Sequence, residues 1–427
     1  MKSTIVPEQL GTASFDSPLR RRAADDRWVP YRLERESTTP PDDEACFEQA
    51  GPREKLYFTA VTARPAIVTC GGLCPGLNNV IRSTFMELYH RYAVRNILGI
   101  RYGYQGLNPA NGYPPLQLDT ATVENIQHHG GSILGTSRGP VPPNIALDYL
   151  EKLGVNILFC IGGDGTQRGA YRIHLEAKQR GYPLAVIGIP KTIDNDVPYV
   201  WRTFGYNTAL EEARRVIDSA HNEARAVVNG VALVKLMGRE AGFIAAGATL
   251  ASQEVNLCLI PEIPFHLDTF LDVLARRLQS RQHAVVVVAE GAGQQLLGEC
   301  AHELDASGNR KIQDIGPFLR DRIVEHFKSI GMPVGMKYID PSYIIRSRPA
   351  NTDDSLFCDQ LARNAVHAAM AGRTGIVMGF WYNIFTHVPT SLITSARKSV
   401  DPHGELWQSV LSATGQPDLS HPPASGA

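Results

Sequence analysis

The chain lacks the long apolar runs and the charge bias that mark several classes of protein. It has 427 residues, and apolar runs such as 284–289 fall far short of the roughly 18–20 residues that a membrane helix needs. Its 42 basic and 43 acidic residues give a formal net charge of −1, whereas general binders of nucleic acid carry a basic excess. The first 15 residues also lack the apolar stretch of a secretory signal. We therefore expect a cytoplasmic protein without nucleic-acid or membrane partners.

Cysteine is scarce, and its pattern does not indicate a structural framework. There are seven cysteines, an odd number. Cys70 and Cys74 lie close together, but no second pair of cysteine or histidine residues follows at the spacing of a zinc site. The pattern therefore predicts reduced, mostly buried thiols and no structural zinc ion.

The length exceeds what one core normally accommodates, so two or three lobes are expected. Residues 1–64 are polar and include a Pro/acid stretch, which predicts an extension with little regular structure. The last dozen or so residues, from Gly415 onward, predict a disordered tail.

Short apolar runs alternate with helical periodicity over some 300 residues between these ends. The runs predicted to be strands are 66–70, 96–100, 157–161, 184–189, 230–234, 256–260 and 284–289. Helices are predicted in the gaps, for example over 207–226 and 353–371. This alternation predicts an α/β protein with mainly parallel sheets, whose ligands bind beyond the carboxyl ends of the strands.

Three loops at predicted strand ends carry residues suited to phosphate chemistry. The first, GGLCPGLNN (71–79), offers glycines and a helix N-terminus but matches neither a Walker loop nor a dinucleotide fingerprint. A tight structural turn explains this loop equally well. The second, GGDGTQRG (162–169), sets Asp164 among glycines, which suits Mg²⁺ and phosphate, although a turn residue or helix cap is the simpler interpretation.

The third loop, PKTIDND (190–196), contains two aspartates on either side of one asparagine. If the segment is extended, Asp194 and Asp196 point to the same side, where they can face a metal and a substrate hydroxyl. Phosphoryl transfer requires positioning, charge neutralisation and a base for the attacking hydroxyl, and these residues can supply all three. A capped loop without chemistry is the alternative.

Taken together, these loops resemble the phosphofructokinase family. The matching stretches are GGLCPGLNN (71–79), GGDGTQRGA (162–170), PKTIDND (190–196), TFGYNTA (203–209), KLMGREAGFIA (235–245), IPEIPF (260–265), VAEGAGQ (288–294) and KYIDPSYIIR (337–346). They keep the family's order across about four-fifths of the chain. AGPREKLYF (50–58) and PKTIDND resemble the branch that includes plant and trypanosomatid ATP-dependent enzymes.

The resemblance implies roles for individual residues. Asp194 matches the general base for the 1-hydroxyl of fructose 6-phosphate, and Arg239 matches the arginine that stabilises the transferring phosphoryl group, which Thr192 also contacts. Asp164 and Asp196 match the Mg²⁺ carboxylates. The implied phosphate-donor residues are Gly72, Arg138, Gly163, Asp164, Gly165, Thr166, Gly169 and Lys191. The implied sugar-phosphate residues are Thr192, Ile193, Asp194, Met237, Gly238, Arg239, Glu262, Lys337, Tyr343 and Arg346.

Two positions bear on the phosphate donor. Gly165 stands where pyrophosphate users have an aspartate that would repel an α-phosphate, which favours ATP. Lys191 matches the pyrophosphate users instead, but the combination of both residues resembles the plant and trypanosomatid branch. We expect ATP, with a pyrophosphate-dependent enzyme and a non-catalytic sugar-phosphate-sensing subunit as alternatives.

The family resemblance also implies an architecture of two Rossmann-like lobes with the active site in the cleft between them. We expect a donor lobe over 65–205 with 346–395, a sugar-phosphate lobe over 206–345, and a C-terminal segment and tail over 396–427. A homotetramer is implied as well.

Overall fold

The computed structural model describes residues 4–20, 23, 25–31, 45–298, 312–395 and 397–422. The strands are β1 (Thr4–Ile5), β2 (Glu8–Gln9), β3 (Phe15–Asp16), β4 (Trp28–Pro30), β5 (Cys46–Gln49), β6 (Lys55–Leu56), β7 (Pro65–Thr69), β8 (Ile97–Ile100), β9 (Leu116–Leu118), β10 (Ile157–Gly162), β11 (Ala185–Pro190), β12 (Gly230–Leu236), β13 (Leu257–Leu259), β14 (His283–Ala289), β15 (Gly335–Ile339), β16 (Arg373–Thr374), β17 (Ile376–Trp381) and β18 (Ile384–Pro389). The helices are α1 (Leu77–Met86), α2 (Pro143–Lys152), α3 (Asp164–Arg180), α4 (Tyr206–Arg225), α5 (Phe243–Ser252), α6 (Leu267–Arg281), α7 (Ile315–Ser329), α8 (Ser342–Arg346), α9 (Thr352–Met370), α10 (Thr390–Ile393) and α11 (Glu405–Thr414).

Two sheets form the centres of two lobes. The larger has the strand order β1-β5-β18-β17-β11-β10-β7-β8-β9, with β4 also paired to β5. Its centre, from β17 through β11, β10 and β7 to β8, is parallel, whereas β18 and β9 run antiparallel to their neighbours β17 and β8. The smaller sheet, β13-β14-β12-β15, is parallel throughout. The α/β prediction with mainly parallel sheets is confirmed.

All seven predicted strands form, with ends within two residues of the predicted ones. The strands are recognisable in sequence because helices cover both faces of a parallel sheet, so nearly every residue in them is buried. Every residue of β12, for example, is buried. Helix α4, predicted over 207–226, packs on β12, and its residues Ala213, Ile217 and Ala220 are buried.

The prediction of little regular structure for residues 1–64 is wrong for the residues described. Strands β1, β4 and β5 extend the larger sheet next to β18, and Phe47 is buried in the core. Strand β18 would otherwise be an edge with unpaired backbone groups, and β5 pairs with it. The segment 32–44, which contains the whole Pro/acid stretch (38–44), lies outside the described residues.

A buried ionic cluster joins β5 to β18. The carboxylate of Glu48 accepts hydrogen bonds from Arg373 Nε at 3.0 Å and from His387 Nδ1 at 2.6 Å. Burial alone would raise the pKa of Glu48, but the bonds from His387 and Arg373 dominate and lower it to about 2. The N-terminal segment is therefore a structural part of the larger lobe.

The prediction of a disordered tail is wrong for residues 415–422, whereas residues 423–427 lie outside the described residues. The Gln416 side chain accepts from the backbone N–H of Cys258 at 2.7 Å and donates to its carbonyl oxygen, so it pairs with the edge strand β13 as another strand would. Leu419 is buried in the core of the smaller lobe. Helix α11 packs against α5, so this C-terminal helix lies on the smaller lobe.

None of the helices in the described part of the chain is long and apolar enough to cross a membrane. The six cysteines in this part are free thiols, five of them buried and Cys46 half-buried. Cys300 lies outside the described residues.

Candidate active site

A cavity of about 790 Å³ lies between the two lobes, where β7, β10, β11, β12 and β14 end. Fifteen of the residues proposed from the sequence line it, drawn from all three predicted loops, from α8 and from two further positions, Arg138 and Arg239. They are Gly72, Arg138, Gly163, Asp164, Gly165, Thr166, Gly169, Lys191, Thr192, Ile193, Asp194, Asp196, Arg239, Tyr343 and Arg346. The carboxyl ends of parallel strands converge at this edge, which is why loops far apart in sequence meet here.

One wall of the cavity is the start of α3. The helix begins at Asp164, and its N-cap residue is Gly163, which has no side chain to cover the first backbone N–H groups. Asp164 is therefore not the helix cap considered from the sequence. The free N–H groups and the positive end of the helix dipole suit a phosphate group.

Close packing fixes this wall. A Cβ on Gly162 would lie 2.1 Å from Thr166 Oγ1, and one on Gly169 would lie 2.4 Å from the ring of Tyr104. The Tyr104 hydroxyl donates to the Thr166 carbonyl oxygen at 2.7 Å, so this buried aromatic supports the helix start from behind. The glycines of the motif thus let the helix approach its neighbours.

Asp164 lies between cations and a second carboxylate. Its Oδ2 is 2.7 Å from Arg168 Nη1 and 3.9 Å from Arg397 Nη2. Burial raises the pKa of Asp164, and the nearby Asp196 raises it further, whereas Arg168 and Arg397 act in the opposite direction. Two carboxylates that repel each other at the start of α3 are a donor set that suits Mg²⁺, which usually takes one or two protein carboxylates along with phosphate oxygens and water.

The PKTIDND segment is a constrained loop and not the extended strand considered from its sequence. Asn195 has a left-handed backbone with φ of 57°, and its Oδ1 accepts from the Thr203 backbone N–H at 3.0 Å. Thr203 Oγ1 in turn donates to the Thr192 carbonyl oxygen at 2.7 Å. Asp194 and Asp196 nevertheless both line the cavity, because the side chains on either side of Asn195 share the open face of the loop.

Asp194 has the environment of a general base. Its Oδ1 is buried and has no hydrogen-bond partner among the described residues. Burial raises the pKa of Asp194 to about 8, the charges of Asp196 and Glu290 add to the effect, and Arg346 opposes it. A carboxylate whose pKa lies this close to neutrality is a far stronger base than an ordinary aspartate.

The opposite wall comes from the ends of β12 and β15. Arg239 follows β12, and Tyr343 and Arg346 lie one turn apart on α8, with the Tyr343 side chain largely exposed. Arg346 Nε contacts the Met237 sulfur at 3.2 Å, so the buried methionine supports the guanidinium. Gly238 has φ of 129°, a conformation that favours glycine, and it makes the turn that presents Arg239.

Four predicted substrate residues do not line the cavity in the part of the chain that the structure describes. Met237 and Gly238 are buried and directly precede Arg239 in the chain. The Glu262 carboxylate accepts from the backbone N–H groups of Gly242 at 3.0 Å and Val400 at 2.7 Å, so it joins two segments of chain. Lys337 is exposed on β15, and its Nζ lies 3.8 Å from Glu223.

Lys191 contributes to the donor wall from a buried position. Its Nζ donates to the Gly72 carbonyl oxygen and so ties the PKTIDND loop to the first glycine loop. Burial lowers the pKa of this amine, with nearby Arg346 acting in the same direction. The lysine therefore has a structural partner as well as a place in the cavity wall.

Several cavity residues were not identified from the sequence. Glu290 directly follows β14 within the VAEGAGQ stretch, so its position at a strand end was an available signal. Arg168 lies in the GGDGTQRGA stretch, one helical turn after Asp164. Arg397 gave no such signal, because it reaches the cavity from a segment beyond the last strand, where its Nη1 lies 3.3 Å from Glu240.

Comparison with known proteins adds to this geometry. The family model described as Phosphofructokinase matches residues 64–369. The chain is similar to the ATP-dependent 6-phosphofructokinase of Borreliella burgdorferi, at 47% identity over 88% of this chain and 86% of that protein. It is 45% identical to that of Amycolatopsis methanolica, over 96% and 94%, and 46% identical to that of Trypanosoma cruzi, over 86% and 76%.

Solved structures show the same fold at much lower identity. The crystal structure of a pyrophosphate-dependent phosphofructokinase from Marinobacter aquaeolei has a TM-score of 0.69 at 19% identity, covering 83% of this chain and 91% of that one. That of a pyrophosphate-dependent phosphofructokinase from Nitrosospira multiformis has a TM-score of 0.70 at 17% identity, covering 86% and 95%.

Proposed function

This chain belongs to the phosphofructokinase family, and on that premise we propose that it transfers the γ-phosphoryl group of ATP to the 1-hydroxyl of fructose 6-phosphate, giving fructose 1,6-bisphosphate and ADP. The observation that carries the proposal is the buried carboxylate of Asp194. Asp194 lines the cleft, its Oδ1 is buried without a hydrogen-bond partner in the described part of the chain, and its pKa is raised to about 8. A base of this kind suits a hydroxyl nucleophile.

The donor would bind against α3. The N–H groups at the start of the helix and Arg138 would hold its phosphates, and Gly165 would leave room for the α-phosphate of a nucleotide. Asp164 and Asp196 would hold Mg²⁺. When bound, Mg²⁺ neutralises phosphate charge and orients the group that is transferred.

The acceptor would bind against α8 and the end of β12. Arg346 and Tyr343 would hold the 6-phosphate, placing the 1-hydroxyl near Asp194. Asp194 would take the hydroxyl proton as the oxygen attacks, and Arg239 would stabilise the charge on the phosphoryl group in flight. Thr192 and Ile193 would line this side of the pocket. Met237 would support Arg346, Gly238 would make the turn before Arg239, and Glu262 would act indirectly by holding the segments around the pocket.

The charge of the cavity supports a substrate with several phosphates. Among the described residues, its lining holds six arginines and one lysine (Arg138, Arg168, Arg172, Lys191, Arg239, Arg346 and Arg397) and five carboxylates (Asp164, Asp194, Asp196, Glu240 and Glu290). Cations thus outnumber carboxylates, which suits anionic ligands.

The test of the donor is formation of fructose 1,6-bisphosphate from fructose 6-phosphate and Mg²⁺, with ATP and pyrophosphate in parallel assays. We expect product with ATP and not with pyrophosphate, because Gly165 leaves the α-phosphate site open. Product with pyrophosphate alone would contradict the assignment of the donor. Absence of product with both would favour a non-catalytic sugar-phosphate-sensing role.

The same proposal includes a homotetramer in the cytoplasm. The assembly follows from the family resemblance alone, and the free thiols of the described cysteines fit a reducing compartment. Size-exclusion chromatography with light scattering tests the assembly.

A further inference from the structure

Two histidines of the smaller lobe, outside the cavity, face each other. His221 lies on α4, and His283 is the first residue of β14. Their Nε2 atoms are 3.4 Å apart, whereas their ring centres are 5.3 Å apart, with an angle of 23° between the ring planes. Because the nitrogens are closer to each other than the ring centres are, each Nε2 points toward the opposite ring.

The partners of the other ring nitrogens decide which nitrogen carries the proton. His221 Nδ1 lies 3.0 Å from the Glu254 carboxylate, and His283 Nδ1 lies 2.9 Å from the Arg281 carbonyl oxygen. Both oxygens can only accept, so both Nδ1 atoms carry the hydrogen. In the neutral rings the two Nε2 atoms are therefore unprotonated, and two lone pairs converge on the same small space.

Converging lone pairs repel each other unless a cation lies between them. We propose that His221 and His283 are a two-histidine site for a transition-metal dication such as Zn²⁺. Two Zn–N bonds of about 2.0–2.1 Å at a tetrahedral angle place the ligating nitrogens about 3.4 Å apart, the separation seen here. Glu254 occupies the position of the carboxylate that orients a metal-bound histidine through its other ring nitrogen.

The surroundings leave polar space beside the pair and also limit its affinity. His221 borders a cavity of about 340 Å³ together with Asp218, Ser252 and Glu254, whereas His283 is not among the described residues that line it, so water ligands would reach the ion from the side of His221. Burial lowers the pKa of His221, which keeps it in the neutral form that metals require, although Glu254 opposes this shift. Arg225 and Arg277 also lower the pKa of His221, and their positive charge opposes the binding of a dication.

The experiment is a titration of the full-length, EDTA-treated protein with Zn²⁺ by calorimetry, repeated with Co²⁺ to record the absorption bands of nitrogen ligation. We expect one saturable ion per chain. His221→Gln or His283→Gln should weaken binding at least tenfold, and Glu254→Gln should weaken it by about 10–100-fold because the first ligand loses its orientation. His403→Gln, at an exposed histidine, is the matched control and should bind like the parent protein.

Two outcomes would overturn the proposal. One is unchanged Zn²⁺ affinity in the double variant His221→Gln/His283→Gln, provided that its thermal denaturation midpoint shows a folded protein. The other is absence of saturable binding while the histidine NMR signals show a single proton shared by the pair. Neither readout depends on phosphoryl transfer, so failure of the proposed function leaves this test intact.

Discussion

Replacement of Asp194 by asparagine separates the chemical role of this carboxylate from its structural effect. The amide keeps the size of the side chain but cannot accept a proton, so turnover should fall by about 10²–10⁴-fold while fructose 6-phosphate still binds. The same change removes a buried ionisable group, and the variant should therefore be more stable than the parent in a pH-dependent way.

The magnitude follows from the shift in pKa. Asp194 titrates at about 8 in the folded protein, against about 4 for an unfolded aspartate. Below about pH 4 both states hold the proton, and the side chain has no effect on the pH dependence. From about pH 4 to 8 only the unfolded state ionises, so the parent loses stability as the pH rises, up to an upper limit on the order of 5 kcal/mol. The asparagine variant has no carboxyl group at this position, so its stability does not decrease in this way.

The assay is thermal denaturation of ligand-free parent and variant at about pH 5, 6.5 and 8, with turnover measured on the same samples. The thermal denaturation midpoint of the variant should increase relative to that of the parent as the pH rises. Asp272→Asn, at an exposed position on α6, is the control and should show no such trend. A constant difference across this range would refute the argument from burial, and turnover above a tenth of the parental rate would refute the assignment of the base.

Three further predictions concern the donor wall and the N-terminal segment. Gly165→Asp should lower kcat/KM for ATP at least tenfold by charge repulsion; an unchanged value, measured in a coupled assay, would show that this position does not select the donor. Arg397→Ala should raise KM for ATP several-fold and leave KM for fructose 6-phosphate nearly unchanged, whereas Arg322→Ala on α7, the control, should alter neither. Glu48→Gln should destabilise the protein by about 3–5 kcal/mol near neutral pH, because Arg373 loses a buried anionic partner. Since the folded pKa of Glu48 is depressed to about 2, this difference should shrink as the pH falls from about 4 toward 2; a pH-independent difference in thermal midpoint would contradict it.

The central strands could be predicted because their signal is local. A parallel strand covered on both faces is a short continuous apolar run, and β10 and β14 are of this kind. Strands β5 and β15 carry no comparable run, because they are only partly buried and mix charged with apolar residues. Their formation depends on a neighbouring strand that is distant in sequence.

The residues of the candidate site also fall into two groups, those that local sequence patterns predict and those that they do not. Asp164 and Asp194 follow predicted strands, so the rule that ligands bind at strand ends locates both of them from local sequence patterns. Arg397 reaches the same cavity only because the chain returns past it after α10, which no local pattern records. Glu262 is a third case: the family resemblance implies a sugar ligand, which stays a prediction, and the structure adds that its carboxylate accepts hydrogen bonds from the backbone N–H groups of Gly242 and Val400.

The path of the chain has a consequence for the integrity of the two lobes. The backbone passes from the larger to the smaller lobe after β11, returns after β15, and passes back again after α10 to end in α11 against α5. In the described part of the chain, the lobes are thus connected by three separate stretches of peptide. A protease that cuts any one of them leaves two covalent links, so the cleft remains bounded on both sides in a nicked molecule.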